Sequence, residues 1–226
     1  MVINLFILAY STYLIAKIDN KTFNYKKTTL ITIYIMNELK RLLHDLIGLT
    51  DDEFQTFYSQ LVRKEYKAKI LLIEEGKTVK DLFFVESGLF RTFKNIEDKE
   101  FTTYFACDKH FITVFDSFIY QTPSSEFLEV IEDSVVYKIS FESLTQLYKE
   151  SPNFEKFGRV LAERNHLCAQ QRTLTMQTKS AKKKYLDFIK DYDKKIVLKA
   201  PQYQIASFLG IAPESLSRIR KEVVIS

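Results

Sequence analysis

The sequence predicts an α+β chain: an antiparallel β jelly roll or barrel, then a long helix, then a C-terminal (winged) helix-turn-helix. Three observations predict it. Short β-branched and aromatic runs, separated by turn residues, fill residues 67–140. A helical pattern of about 25 residues then runs from near Asn153 to Thr178. Finally, residues 201–224 place apolar side chains at helical spacing on either side of Gly210. The 226 residues exceed one typical domain of roughly 100–150 residues, so more than one unit is expected.

The elements follow in chain order. Residues 1–35 form a doubtful extension. Val2–Ala16 is apolar but lacks a basic leader, and it falls short of the ~20 residues that a membrane span needs. Met36 stands directly before a clean helical pattern, so the natural start is expected there, with the upstream stretch an over-extended reading frame. Leu39, Leu42, Leu43, Leu46 and Ile47 have helical spacing, and Gly48 can end that helix. Thr50-Asp-Asp-Glu53 has the form of a capping box and opens the next one.

Residues 36–150 then hold the expected barrel. Its candidate strands are Ile70–Ile73, Leu82–Val85, Phe90–Phe93, Phe101–Phe105, Phe127–Ile131 and Val135–Ile139. Turns are expected at Glu74–Lys77, Glu86–Gly88 and Glu97–Lys99, with Gly76 and Gly88 at positive φ. A short helix is expected over Phe141–Glu150, stopped at Ser151-Pro152.

Residues 151–178 form the long helix. Its spacing suits pairing with a second copy through Phe157, Val160, Leu161, Leu167 and Leu174, with Gln171 setting register. An amphipathic helix with a basic lead follows at Lys179–Lys190, and Ile196–Leu198 is expected as a short strand.

Within residues 179–226 the C-terminal pattern carries the chemistry. Ile205, Ala206 and Leu209 form the inner face of one short helix, Gly210 the turn, and Pro213 the first turn of a second helix. Leu216, Ile219 and Val223 point inward there, which leaves Glu214, Ser215, Ser217, Arg218, Arg220 and Lys221 outside. That set suits the major groove of double-stranded DNA. Arg218 can grip guanine O6 and N7, Glu214 can accept from cytosine N4, and Ser217 can reach a base or phosphate. Lys199, Gln202, Ser215, Arg220 and Lys221 are the candidates for phosphate contacts, which fix affinity and register.

Net charge agrees only when divided along the chain. The total is +4, but residues 1–35 carry +3, residues 36–155 carry −8 and residues 156–226 carry +9. The basic block is the one that can lie on a polyanion. Cys107 and Cys168 lie far apart, and His44, His110 and His166 have no metal-site spacing. No metal, cofactor or catalytic residue is expected, and a cupin-type metalloenzyme lacks its ligands. A ligand sensor acting through protein contacts is the other alternative to a DNA reader.

On these residues the chain resembles the Crp–Fnr family of bacterial transcription regulators over residues 36–226, in a form similar to Bacteroidetes variants. Gln204–Ile219 is the most specific stretch, and Glu75-Gly76 with Phe84-Val85-x-Ser87-Gly88 resembles the first half of the barrel. The resemblance implies a cytoplasmic homodimer on a palindromic site with TTGA-like half-sites read by Glu214, Ser217 and Arg218. It also implies contact with RNA polymerase and an effector pocket in the barrel, with no membrane. Phe111, Thr113, Ser117, Ser124, Ser125 and Phe127 are the candidate pocket residues. Asp108–Glu126 has no Gly-Glu pair and no Arg, so the contacts that hold a cyclic phosphate in family members are missing. The effector is therefore expected not to be cyclic AMP. Two cysteines cannot hold an iron–sulfur cluster. The hairpin that some members place after the second helix is not expected here.

Overall fold

The computed structural model describes residues 35–225. The expectation for residues 1–35 therefore lies outside the described residues, Ile35 excepted. Helix α1 (35–47) buries Leu39, Leu43 and Ile47, one face at a spacing of four. Gly48 ends it at φ 77°. Helix α2 (Asp51–Ser59) begins with the expected capping box: Thr50 Oγ1 accepts from Glu53 N–H, and the Glu53 carboxylate accepts from Thr50 N–H.

Six antiparallel strands follow: β1 (Val62–Tyr66), β2 (Leu71–Ile73), β3 (Asp81–Ile96), β4 (Lys99–Cys107), β5 (Phe111–Ile112) and β6 (Phe127–Ser140). The sheet order is β1-β6-β3-β4, with β2 also on β6 and β5 on β3. This is the expected α+β, jelly-roll-like barrel. Helix α3 (Phe115–Tyr120) leaves it after β5, and α4 (Phe141–Glu150) follows β6.

The strands are as many as the sequence suggests, but two expected pairs are each one long strand. Leu82–Val85 and Phe90–Phe93 are parts of β3, and Phe127–Ile131 and Val135–Ile139 are parts of β6. Glu86-Ser87-Gly88 is not a turn. It is an irregularity inside β3, where the register against β6 shifts between Val85 and Ser87 and again between Ser87 and Leu89. Gly88 is required there by close approach: at φ 143°, an added Cβ would stand 2.0 Å from Ser134 Oγ. The expected turns at Gly76 (φ 81°) and at Glu97-Asp98 (φ 50° and 60°) are present. The second joins β3 to β4 with both central residues left-handed, as a type I′ hairpin needs.

Helix α5 (Pro152–Thr178) is about 40 Å long. Ser151 caps it, and Phe154, Phe157 and Leu161 pack its first turns onto the barrel. Phe157 lies edge-on to Phe57 and Phe111, at 5.6 and 5.2 Å between ring centres. Glu53 fastens this junction, because its carboxylate also accepts from Ser151 Oγ–H and from Asn153 Nδ2–H. Those donors hold its pKa down at about 2.

The C-terminal unit is α6 (Ala181–Asp191), α7 (Lys194–Lys199), α8 (Gln202–Leu209) and α9 (Pro213–Ile225). Helix α7 occupies the segment expected as a strand at Ile196–Leu198. Asp193 caps it by accepting from Lys195 N–H, and only Ile196 needs burial, while Leu198 is exposed. Gly210 closes α8 in the left-handed conformation, donating its N–H to Ala206 and Ser207 carbonyls.

Two predictions follow from these contacts. Gly88→Ala is expected to lower the unfolding free energy by about 2–4 kcal/mol and Gly76→Ala by about 1 kcal/mol, since Gly76 faces open space and carries only the φ penalty. Urea denaturation would measure both, and equal losses would contradict the close approach at Gly88. The depressed Glu53 pKa contributes stability that is present above the ordinary value of 4.5 and lost as pH falls towards about 2. Glu53→Gln is expected to flatten the fall in stability across that window.

Candidate nucleic-acid interface

Helix α9 carries the sequence-predicted reading residues on one side. Leu216 and Ile219 are buried and Val223 is partly buried against α6 and α8. Glu214, Ser217, Arg218 and Lys221 are exposed, and Ser215 and Arg220 are half-buried. Lys199 at the end of α7 and Gln202 at the start of α8 are exposed as well. Among the described residues no ion pair occupies Arg218, Arg220 or Lys221, so their charge is available to an outside anion.

This two-helix unit is held against the barrel. Ser207 Oγ–H on α8 donates to the Glu100 carbonyl and accepts from Thr102 N–H, both at 2.9 Å. Arg172 on α5 donates to the Phe208 carbonyl (3.1 Å) and the Thr102 carbonyl (2.9 Å), with its guanidinium 4.7 Å above the Phe208 ring. On α7, Lys195 pairs with Asp108 (2.6 Å) and Glu132 (2.5 Å) of the barrel. Neither Arg172 nor Ser207 is legible as a fastening residue in sequence. Their partners are backbone groups, which leave no side-chain pattern.

Five of the six residues expected to line an effector pocket have other engagements. Thr113 Oγ1–H donates to the Asp81 carbonyl. Ser117 Oγ accepts from Val79 N–H and donates to the Thr122 carbonyl. Ser124 Oγ donates to the Glu126 carbonyl and accepts from Glu126 N–H. Phe111 packs on Phe84 and Phe157, and Phe127 stacks on Phe93 at 4.9 Å. Ser125 is half-buried. Nearby, Thr92 and Thr103 share a hydroxyl hydrogen bond of 2.7 Å, and Thr103 donates to Glu126. Burial pushes the Glu126 pKa up.

A buried cation lies on the same sheet. Arg91 is 2% exposed, pairs with Glu100 and with Glu129 (2.6 Å), and lies 4.2 Å above the Phe93 ring. It braces β3 to its neighbours, on the face where Phe93 stacks on Phe127.

The residues expected on the dimer helix divide in two. Phe157 and Leu161 belong to the barrel core of this same chain, and Val160 is partly buried beside them. Leu167, Gln171 and Leu174 are exposed. Among the described residues, no group of three His, Cys, Asp or Glu side chains is placed to hold a metal ion. Within the same residues, no helix is long and apolar enough to cross a membrane.

Residues 63–151 match the cyclic nucleotide-binding domain family. No curated protein matches the chain by sequence. Among solved structures the chain is similar to FixK2 from Bradyrhizobium japonicum, at 16% identity, covering 73% of this chain and 85% of that one, with a TM-score of 0.62. It is similar to CLP from Xanthomonas campestris, described as a c-di-GMP-responsive global regulator, at 17% identity, 76% and 90% coverage and a TM-score of 0.61. A protein from Eubacterium rectale, described as a transcriptional regulator of the Crp/Fnr family, matches at 17% identity, 78% and 84% coverage and a TM-score of 0.61. At these identities the likeness is one of fold. The chain resembles the Crp/Fnr regulators in fold, as its sequence suggests, with a cyclic nucleotide-binding-type barrel at residues 63–151.

Proposed function

We propose that this chain, with the fold of the Crp/Fnr regulators, is a cytoplasmic, dimeric, sequence-specific DNA-binding transcription regulator and not an enzyme. One observation carries the reading. Glu214, Ser217 and Arg218 are exposed together on α9, while Leu216 and Ile219 bury its other side. In the major groove, Arg218 donates two hydrogen bonds to guanine and Glu214 accepts from cytosine. Ser217 reaches a base or phosphate, and Lys199, Gln202, Ser215, Arg220 and Lys221 hold the backbone. The half-site is TTGA-like, and a palindrome places two of them for two copies of α9.

The second copy pairs along the exposed part of α5. Leu167 and Leu174 are seven residues apart with Gln171 between them, the spacing of a coiled-coil seam. RNA polymerase is the partner through which such a regulator acts. The barrel takes an unidentified small effector or has lost one, and it does not take cyclic AMP. Ser117 and Ser124 bind their own backbone, the Asp108–Glu126 stretch has no Arg, and the nearby carboxyl is Glu126, which repels a phosphate when ionised.

Fluorescence anisotropy with a palindromic TTGA-half-site duplex tests the reading. Affinity is expected to fall steeply with salt, because phosphate contacts release counterions. Arg218→Ala is expected to cost about 1–3 kcal/mol and to relax base choice at one position per half-site. Equal loss on every sequence would contradict base reading by Arg218. Leu174→Glu is expected to sediment as a monomer, and an unchanged dimer would move the seam elsewhere.

A further inference from the structure

The end of α5 meets α6 and α8 around a cavity of about 70 Å³, apart from both the barrel residues and the exposed side of α9. Lys184 lines it and is only 9% exposed. Among the described residues its ammonium makes one hydrogen-bond contact, to Met176 Sδ at 3.7 Å. A thioether is a weak acceptor, so this buried charge lacks the partner that burial demands.

The surroundings do not supply one. The Asp187 carboxylate is held by Lys179 (2.7 Å) and Lys183 (2.8 Å), and those ammonium groups drive its pKa down. Arg172 reaches the same cavity, and its donors go to neutral carbonyls of Phe208 and Thr102. Two largely buried cations thus border one space that Asp187 also lines, with its carboxylate committed to Lys179 and Lys183 rather than to Lys184 or Arg172. Tyr192 lines it too, with its phenol pushed up to about 12 by burial, so the hydroxyl keeps its proton and can donate. Asp191 stands exposed at the rim. Phe208 and Leu209 give the cavity one apolar side, while Gln171, Thr175 and Lys179 also line it.

We propose that this cavity binds a small organic carboxylate, its head on Lys184 beside Arg172 and its short apolar tail against Phe208 and Leu209. The volume equals roughly two to three waters' share of the liquid, which admits a head with one or two carbons. The apolar side favours such an acid over inorganic phosphate or chloride. The site touches the DNA-reading unit through Met176, since a Cβ on Gly210 would stand 2.9 Å from its sulfur. Ligand binding here does not depend on whether the chain reads DNA.

Thermal unfolding of the full chain tests it, with sodium propionate compared against sodium chloride and sodium phosphate at equal ionic strength. Propionate near saturation is expected to raise the midpoint by about 2–4 °C, with no comparable rise in the other salts. Lys184→Met is expected to melt in chloride at or above the parent temperature and to lose the propionate shift. Saturation transfer from the unmodified chain to the propionate methyl protons gives a readout independent of how the variant folds. No transfer, a shift retained by Lys184→Met, or an equal shift in phosphate would overturn the proposal.

Discussion

Strand β3 is packed on both faces, and much of the architecture follows from that. Phe90 points into the barrel with Leu128 and Val130, while its neighbour Leu89 points outward with Phe105 and Cys107. The outward set joins Phe188, Ile196 and Phe208 in one apolar cluster, with Phe105 and Phe208 edge to face at 5.3 Å. The C-terminal helices therefore take part of their core from the outer face of the sheet. A four-helix unit of this size has little interior of its own, and the sheet supplies the missing wall.

The polar contacts follow the same seam. Ser207 hydrogen-bonds the backbone of Glu100 and Thr102, Arg172 bridges Thr102 to Phe208, and Lys195 joins Asp108 and Glu132. Each satisfies groups that the apolar contact would otherwise bury without partners. The Asp108 carboxylate also accepts from Gly88 N–H, at the irregularity where β3 changes register. One local kink in β3 thus brings together the barrel, the seam and α7. With α8 fixed to the sheet, α9 is packed against α6 and α8 with its polar side outward.

The same double burial explains what the sequence disclosed and what it did not. Helices with one buried face were legible from spacing and caps: Leu39, Leu43 and Ile47 on α1, Thr50 before α2, and Gly210 between α8 and α9. Strand ends were not. Glu86-Ser87-Gly88 carries turn residues, yet the chain stays extended through it, because β6 pairs with Ser87 and with the residues flanking the segment, and Gly88 N–H is satisfied by the Asp108 carboxylate. Strand β1, Val-Arg-Lys-Glu-Tyr, has too little apolar content to be read as a strand and forms because β6 offers an edge. Ile196–Leu198 reads as a strand by β-branching, but the Asp193 cap favours a helix. Of the candidate DNA-reading residues, identity and exposed placement were legible. Arg91 was not legible as a buried residue, because its partners Glu100 and Glu129 come from two other strands.

Selection of the full chain against a pool of random DNA duplexes tests the central claim most directly. The account predicts enrichment of palindromes whose two half-sites lie one helical turn apart, about 10–10.5 base pairs centre to centre, or a multiple of it. Enrichment of single, unpaired sites, or no enrichment above the starting pool, would contradict it.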